Sequence, residues 1–383
     1  MKSNRPTMGG VTMLVHGGAG SVEAQRAREL ARGLGPPDGG VTILLREGGR
    51  WATAIRWWRA LREGRPGLVY VINTAMPGGW LVPWWARRTG GRYVLDTGDA
   101  VYEMARASGI GAGWRLPLLR WIEGRVQGGA TAIVVRGTRH REWLLVQGYR
   151  RVELIRDGYV DPGPIGSDVL ERVRRRLGLP DGLVVGVLGS TVYSPRLGIC
   201  YGWDLIGALA RLGDEAGVSG LIVGDGDGLP WLRGEARRLG VEDRVRFAGR
   251  IPYEEVQPTV RLFDIAVSTQ TNNLAGQVRT TGKLPEYMAA GRFIVASRVG
   301  EAPLLLPEPM LLNFEGAVDR GYPERLAARI REVRERQDWR ELARRLPERA
   351  RAECGYEVLR GRFAALVRSL TGGDGGTGKG EAA

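Results

Sequence analysis

The sequence predicts an α/β protein built from two Rossmann-like domains. Apolar segments of strand length alternate with amphipathic segments of helix length, which is the pattern of parallel sheets covered by helices. The pattern occurs in two series, one on each side of a glycine- and proline-rich segment, Asp157–Ser167, that is the best candidate for an inter-domain linker. A chain of 383 residues is also long enough for about two domains, each with its own core.

The first series contains six predicted strands: Val11–Val15, Val41–Leu45, Leu68–Ile72, Tyr93–Leu95, Ala132–Val135 and Val152–Ile155. The first strand is followed by the turn H-G-G-A-G, which contains Gly17 and Gly18, and then by a predicted helix. A glycine-rich turn in that position can approach a phosphate group. Asp96 and Asp99 follow the fourth strand, where they would either cap the next helix or contact a ligand at the sheet edge.

The second series begins at about Leu183 and contains a unit that we expect to bind a charged, hydroxyl-rich ligand. In this unit a short helix carrying Lys283 and Glu286 leads into a buried strand, and polar loops lie on both sides. Lysine can meet a phosphate, and a carboxylate can accept hydrogen bonds from ribose hydroxyls. The alternative is an ordinary helix–strand pair with a surface lysine and glutamate.

Composition limits the classes of function. The net charge is +14, with 53 arginines and only three lysines, and the arginines are interspersed with acids on helical segments, as on solvated faces. With two histidines and two distant cysteines the chain offers no metal-ligand pattern, and we expect no metal. No apolar run is long enough to span a membrane, and the N-terminus lacks a signal-peptide pattern, so we expect a cytoplasmic protein.

Tryptophan is concentrated in the first half of the chain. Nine of the twelve tryptophans precede residue 150, and the pairs Trp57-Trp58 and Trp84-Trp85 lie near arginines. Such a surface could stack on sugars or lie at the face of a membrane, and we predict peripheral membrane contact through this Trp/Arg-rich domain. The alternative is packing in the core and between helices.

Four segments of the second half carry a family resemblance: L-I-V-G-D-G at 221–226, R-V-R-F-A-G-R-I-P at 244–252, F-D-I-A-V-S at 263–268 and G-K-L-P-E-Y-M-A-A-G at 282–291. Together they resemble the retaining glycosyltransferase family 4, the group 1 glycosyltransferases of GT-B fold. The resemblance implies two facing domains with a cleft between them. Residues 1–160 would form the acceptor domain, joined by a crossing helix at 353–371, and residues 161–352 would hold a nucleoside-diphosphate sugar. The glycine-rich tail, 372–383, is expected to be disordered.

The resemblance also assigns donor-binding roles. Glu286 matches the glutamate that binds the ribose hydroxyls, Arg250 and Ile251 match the turn whose backbone meets the base, and Gly17 with Gly18 match the loop near the diphosphate and sugar. We place Glu301, in the polar loop after the strand, in the same site.

The sequence departs from the family pattern at two points. Val278 occupies the place of a first glutamate, and Ser190 and Tyr201 occupy the places of a basic pair. We therefore expect the phosphate-binding charge on Arg279 and Lys283, which with Glu286 form the predicted catalytic set, and Arg196 or Arg298 are further candidates.

On the acceptor side the candidates are His140 and Asp99, although a lone histidine is more often structural. We interpret Asp225-Gly226-Asp227 as a turn, with a positive φ at Gly226, and not as a metal motif. No enzymic base is evident, and by resemblance the donor phosphate would deprotonate the acceptor hydroxyl.

The predicted function is transfer of a hexose from a nucleoside-diphosphate sugar to a glycan, lipid-linked or small-molecule acceptor, with retention and without a further cofactor, in cell-envelope or polysaccharide biosynthesis. The main alternative is a degenerate, non-catalytic nucleotide-sugar-binding protein. A sugar-nucleotide epimerase or phosphorylase shares the two-domain layout. A nucleic-acid binder is indicated only by the charge of +14.

Overall fold

Two parallel six-stranded sheets organise the chain in the computed structural model, which describes residues 9–74, 77–109, 114–213, 217–336 and 338–372. The α/β class predicted from the sequence is confirmed. The predicted tail lies almost entirely outside the described residues. None of the described helices is both long enough and apolar enough to cross a membrane.

The N-terminal sheet has the strand order β2-β1-β3-β4-β5-β6. Its strands are β1 (Val11–Val15), β2 (Val41–Leu45), β3 (Leu68–Ile72), β4 (Arg92–Thr97), β5 (Ala132–Val135) and β6 (Val152–Leu154). Its helices are α1 (Val22–Ala31), α2 (Arg50–Gly64), α3 (Gly78–Thr89), α4 (Val101–Ser108), α5 (Arg115–Gly128) and α6 (Thr138–Val146), with a 3-10 turn at Pro36–Asp38. The strands are nearly all apolar because helices cover both faces of the sheet.

The C-terminal sheet has the order β11-β10-β7-β12-β13-β14, beside a small hairpin of β8 and β9. The strands are β7 (Leu183–Leu188), β8 (Tyr193–Ser194), β9 (Ile199–Cys200), β10 (Val218–Val223), β11 (Val245–Gly249), β12 (Ile265–Ser268), β13 (Phe293–Ser297) and β14 (Leu311–Leu312). The helices are α7 (Ser167–Arg176), α8 (Trp203–Leu212), α9 (Leu229–Arg238), α10 (Val256–Val260), α11 (Leu274–Val278), α12 (Lys283–Ala289), α13 (Ala302–Leu305), α14 (Tyr322–Glu335), α15 (Trp339–Arg344), α16 (Leu346–Cys354) and α17 (Tyr356–Thr371). Short 3-10 turns lie at Glu242–Arg244, Tyr253–Glu255 and Glu308–Met310.

The last helix returns to the N-terminal domain. α17 buries its apolar side in the core between β1, β3 and α1, where the ring of Phe363 meets the ring of Tyr70 edge-on at 5.0 Å between centroids. Arg360 of α17 pairs with Glu29 of α1. The two chain crossings between the domains lie side by side, because Tyr159 forms a β-bridge with Gly355.

The tryptophans of the first half divide between two roles. Trp57 and Trp85 are buried in the core beneath α2 and α3, as the packing alternative predicts. Trp51, Trp114 and Trp121 are instead largely exposed, at 71%, 72% and 56%. Core packing therefore accounts for only part of the tryptophan content.

The Asp225-Gly226-Asp227 segment is a turn, but the reason given for it from sequence was wrong. Gly226 does not have a positive φ. Glycine is required there because a Cβ atom would lie 2.6 Å from main-chain atoms of Thr191. Asp227 accepts a hydrogen bond from the Tyr193 amide at 2.9 Å and so anchors the β8–β9 hairpin.

Candidate functional site

The carboxyl ends of the two sheets face each other through direct contacts. Arg250, after β11, donates to the Gly20 carbonyl in the loop after β1, at 3.1 Å. Arg279 pairs with Asp99, after β4, at 3.3 Å, and the Thr280 amide donates to the Gly98 carbonyl at 3.3 Å. Loops at strand carboxyl ends are where parallel α/β sheets bind ligands, so this boundary is the candidate site.

Lys283, the first residue of α12, is a half-buried amine at the boundary between the two domains. Its Nζ lies 3.5 Å from the centroid of the Tyr201 ring. Burial, and then the charge of Arg279, hold the pKa of Lys283 well below its usual value. Within the described part of the chain no carboxylate lies at ion-pair distance from this ammonium, although Asp204 is near enough to oppose the shift. A bound anion would relieve this unfavourable environment.

Two tyrosines near Lys283 are held in place by hydrogen bonds to the main chain. Tyr201 donates from its hydroxyl to the Val267 carbonyl at 3.2 Å, and the Tyr287 hydroxyl accepts from the Leu188 amide at 2.6 Å. Gly189 has φ +157, and a Cβ atom there would lie 3.0 Å from the Tyr201 ring and 3.9 Å from Nζ of Lys283. The lysine therefore extends over a ring that stands where the family pattern has a basic residue.

The two further candidates for phosphate charge are engaged elsewhere. Arg196, in the β8–β9 hairpin, donates to the Arg106 carbonyl of α4 at 2.7 Å. Arg298 forms an exposed bidentate pair with Glu308, one bond of which is 2.9 Å. This leaves Lys283 and Arg279 as the predicted cations that lie together at the boundary.

Glu286 is buried and faces a different set of neighbours from Lys283. Its carboxylate accepts hydrogen bonds from the Tyr253 hydroxyl at 2.8 Å and from the Gln257 amide, which also donates to its main-chain carbonyl at 3.1 Å. Burial raises the pKa of Glu286 to about 7 even though both donors favour the carboxylate. The turn that positions Tyr253 begins directly after Arg250 and Ile251, so the residues predicted to hold the nucleoside lie in one neighbourhood.

Glu301 holds the two domains together. Its carboxylate pairs with Arg156 and accepts from the Thr138 hydroxyl at 3.2 Å and the Arg139 amide at 3.1 Å. All three donors belong to the N-terminal side of the boundary. The carboxylate is thus saturated in this structure, and its predicted role toward a ligand remains a prediction.

The glycine-rich loop after β1 is shaped by the start of α1. Ser21 caps that helix by accepting from the Ala24 amide at 3.1 Å. A Cβ atom at Gly17 would lie 1.9 Å from the Ser21 hydroxyl, so only glycine is compatible with the cap. Gly18 is exposed with open space around its Cα, which leaves room for a ligand to approach the backbone.

The acceptor-side candidates differ in their environments. His140 is fully buried beside Trp143, and neither ring nitrogen has a hydrogen-bond partner among the described residues. Burial, assisted by Arg136, lowers the pKa of His140 to about 4. These are the surroundings of a structural histidine. Asp99 lies at the boundary between the two domains, where it forms an ion pair with Arg279.

Asp96 belongs to a buried ion network that the sequence did not reveal. Its carboxylate accepts from Arg26 at 2.8 Å, from Tyr70 at 2.6 Å and from Arg136 at 3.0 Å. Arg136 also contacts Asp157, at 3.3 Å.

The alternative of helix capping by Asp96 or Asp99 was wrong. The amides of Val101 and Tyr102, at the start of α4, donate to the carboxylate of Glu123 at 2.8 and 3.0 Å. Within the described residues no three histidine, cysteine, aspartate or glutamate side chains are grouped as metal ligands would be.

Comparison with known proteins agrees with this geometry. The family model Glycosyl transferases group 1 matches residues 182–335, the range that contains Lys283, Glu286 and Tyr201. The two facing Rossmann-like domains with a returning C-terminal helix form the GT-B fold. The C-terminal domain is therefore similar to the group 1 glycosyltransferases, which confirms the predicted resemblance.

Particular relatives agree in fold. The Anabaena protein HepE in complex with UDP-glucose has a TM-score of 0.71 at 16% identity, covering 94% of this chain and 99% of that one. Sucrose-phosphate synthase from Thermosynechococcus elongatus has a TM-score of 0.71 at 18% identity, covering 95% and 100%. The 2-deoxystreptamine glucosyltransferase of Streptomyces kanamyceticus is 28% identical over 135 residues, 34% of this chain. That match spans about a third, 32%, of the curated relative.

Proposed function

We propose that the protein is a retaining glycosyltransferase that moves a hexose from a nucleoside-diphosphate sugar to a glycan, lipid-linked or small-molecule acceptor in cell-envelope or polysaccharide biosynthesis. Its support is the GT-B fold, the family similarity of the C-terminal domain and the donor-binding geometry. The fold-level relative with UDP-glucose bound and the glucosyltransferase relative favour a nucleotide-activated glucose-type donor.

The observation that carries the proposal is the isolated ammonium of Lys283. Lys283 is half-buried, and a cation partly removed from water without a counter-charge is unfavourable unless a ligand supplies that charge. The diphosphate of a sugar nucleotide is such a ligand, and its negative charge grows as the glycosidic bond breaks. Lys283 would therefore bind the donor and stabilise the departing diphosphate, with Arg279 adding charge from the same boundary.

The remaining residues would orient the reactants. Glu286, held by Tyr253 and Gln257, would accept hydrogen bonds from the ribose hydroxyls. The exposed backbone at Gly18 would lie against the sugar and diphosphate. No side chain is assigned as the base, and we propose that an oxygen of the donor phosphate takes the proton of the acceptor hydroxyl as the new glycosidic bond forms.

A thermal-shift screen against UDP, GDP, ADP and dTDP and their sugars tests donor binding. A ligand that binds only the native state raises the melting temperature in proportion to the logarithm of its concentration over Kd. We expect one nucleotide series to stabilise the wild type, and the shift at the same ligand concentration to be much smaller in Lys283→Met. The exposed-site variant Arg172→Met, on α7, is the matched control and should keep the full shift. No shift with any nucleotide would contradict the proposal.

A non-catalytic nucleotide-sugar-binding protein is the second candidate. It is favoured by Val278, an apolar and buried side chain at the position where the family pattern has a glutamate. Donor turnover separates the two candidates, because both bind the nucleotide. Release of free nucleotide from the stabilising donor, with or without an added acceptor, would establish the enzyme. Binding without any release would favour the second candidate.

A further inference from the structure

Three neighbouring helices of the N-terminal domain expose aromatic side chains on one face. α2, α3 and α5 pack on the same side of the sheet, where their inner residues form one core, and α3 contacts both α2 and α5. Trp51, Trp80, Trp84, Trp114 and Trp121 are exposed on these helices or at their first turn. We call the outward sides of α2, α3 and α5 the aromatic face.

The rings of the aromatic face form contacts with one another and with arginines. Trp51 lies 6.0 Å from Trp80, centroid to centroid, so the starts of α2 and α3 are joined through aromatic rings. Arg88 lies over the Trp84 ring at 4.6 Å, and Arg125 lies over the Trp121 ring at 5.0 Å. Tryptophan with snorkelling arginine is the combination typical of the boundary between lipid tails and headgroups.

The three helices of the aromatic face carry a large excess of positive charge. The three helices contain nine arginines and two acids, Glu63 and Glu123. Glu123 is buried and binds the amides at the start of α4, so it does not offset the positive field outside. A soluble sugar acceptor could stack on the tryptophan rings but would not need this excess of arginines. An anionic membrane surface would interact with the tryptophan rings and with the arginines.

The aromatic face also meets the edge of the sheet that carries the candidate site. Trp51 and Trp80 lie in the first turns of α2 and α3, and Trp114 directly precedes α5. The starts of α2 and α3 follow the carboxyl ends of β2 and β3, and Asp99 and Gly98 reach the C-terminal domain from this same edge of the sheet. A lipid-linked acceptor held at this face would therefore enter the cleft between the domains directly.

We propose that the aromatic face docks on the headgroup layer of an anionic phospholipid bilayer. This proposal deepens the proposed function by naming the surface that presents the acceptor. Vesicle binding requires neither donor nor acceptor, so failure of this proposal and failure of the proposed activity are distinguishable.

The test is co-sedimentation of the full chain with vesicles of phosphatidylcholine alone or mixed with phosphatidylglycerol. We expect binding only to the anionic vesicles, weakened by salt. Arg59→Gln/Arg62→Gln should require about 25-fold more lipid, since each arginine near an anionic surface contributes roughly a factor of five. Trp51→Ala/Trp80→Ala should require about tenfold more lipid, because it removes the rings that would enter the interface. Arg172→Gln/Arg175→Gln, which removes the same charge from exposed sites on α7, should bind as the wild type does.

Three results would overturn the proposal. The first is absence of binding to anionic vesicles. The second is equal weakening by the α7 variant, which would make the attraction a property of net charge alone. The third is a dimer in sedimentation velocity that Trp51→Ala/Trp80→Ala dissociates, because the aromatic face would then be a contact between two copies of the chain.

Discussion

The two domains differ in whether a charge removed from water has a partner of opposite charge. In the N-terminal domain, Asp96 is fully buried and accepts from two arginines and a tyrosine. In the C-terminal domain, Lys283 lies over the Tyr201 ring, and the described residues give it no carboxylate at ion-pair distance. A buried charge that is neutralised by neighbouring side chains helps to specify the fold. A charge without such neighbours lowers stability, and its presence indicates that a ligand supplies the missing counter-charge. The contrast can be tested by removing each charge in turn.

The largest effect is expected for Asp96→Asn. The substitution leaves Arg26 and Arg136 buried without their shared counter-charge, and breaking a buried pair in this way typically costs about 3–5 kcal/mol. Urea denaturation of the full chain measures the loss. Asp168→Asn, which breaks an exposed pair with Arg172, should change stability little. Equal losses in the two variants would show that the buried network is not compensated as described.

Acid sensitivity should come in part from His140. Its imidazole titrates near 6.5 when the chain is unfolded and at about 4 when folded, so the unfolded state binds the proton first. The native state therefore has its full stability from this group above pH 6.5 and loses about 3 kcal/mol as the pH falls from 6.5 to 4. In His140→Leu, the plot of unfolding free energy against pH should be flatter over this range. An unchanged slope would contradict the burial of a neutral ring.

Lys283→Met should not destabilise the free protein. The substitution removes an amine that burial and Arg279 make unfavourable in its charged form, and keeps most of the side-chain volume. We expect the free energy of unfolding, measured by urea without nucleotide, to stay the same or rise by about 1 kcal/mol. A loss as large as that of Asp96→Asn would mean that Lys283 is a structural cation, and the contrast between the domains would disappear.

Tyr201 should have the smallest effect, as a positioning residue for Lys283. Tyr201→Leu removes the ring beneath the ammonium and should weaken nucleotide binding about fivefold, since a cation–π contact contributes about 1 kcal/mol. Tyr201→Phe keeps the ring and should bind nearly as the wild type does. Equal weakening by both variants would assign the effect to the hydroxyl contact with Val267 instead of the ring.

The elements of both sheets were predictable because a parallel strand covered on both faces is a continuous apolar run. The sequence drew attention to Lys283 for a different reason, since lysine is almost absent from this arginine-rich chain and this one opens a helix–strand unit, but its role toward a ligand stays a prediction. The β8–β9 hairpin escaped prediction because its strands have two residues each, too few to show alternation. The short helix α11 likewise lies in a segment for which the sequence predicts a polar loop.

Contacts between distant residues could not be predicted from one sequence. The pairing of Arg156 with Glu301 joins positions 145 residues apart, and nothing in either local pattern identifies the partner. The loop that carries Glu301 predicts a role toward a ligand, and its partners in the opposite domain could not be foreseen from that loop. Glu286 is held by Tyr253 and Gln257. These two residues lie in a turn and a helix to which the sequence assigned no role.

The affinity of Lys283→Met for the nucleoside diphosphate that most stabilises the wild type tests the central claim most directly. Isothermal titration calorimetry gives the Kd, with Arg172→Met as the matched control. We expect a loss of affinity of about ten- to a hundredfold for Lys283→Met, the usual effect of removing one charge-assisted hydrogen bond, and no loss for the control. Equal affinities of Lys283→Met and the wild type would contradict it.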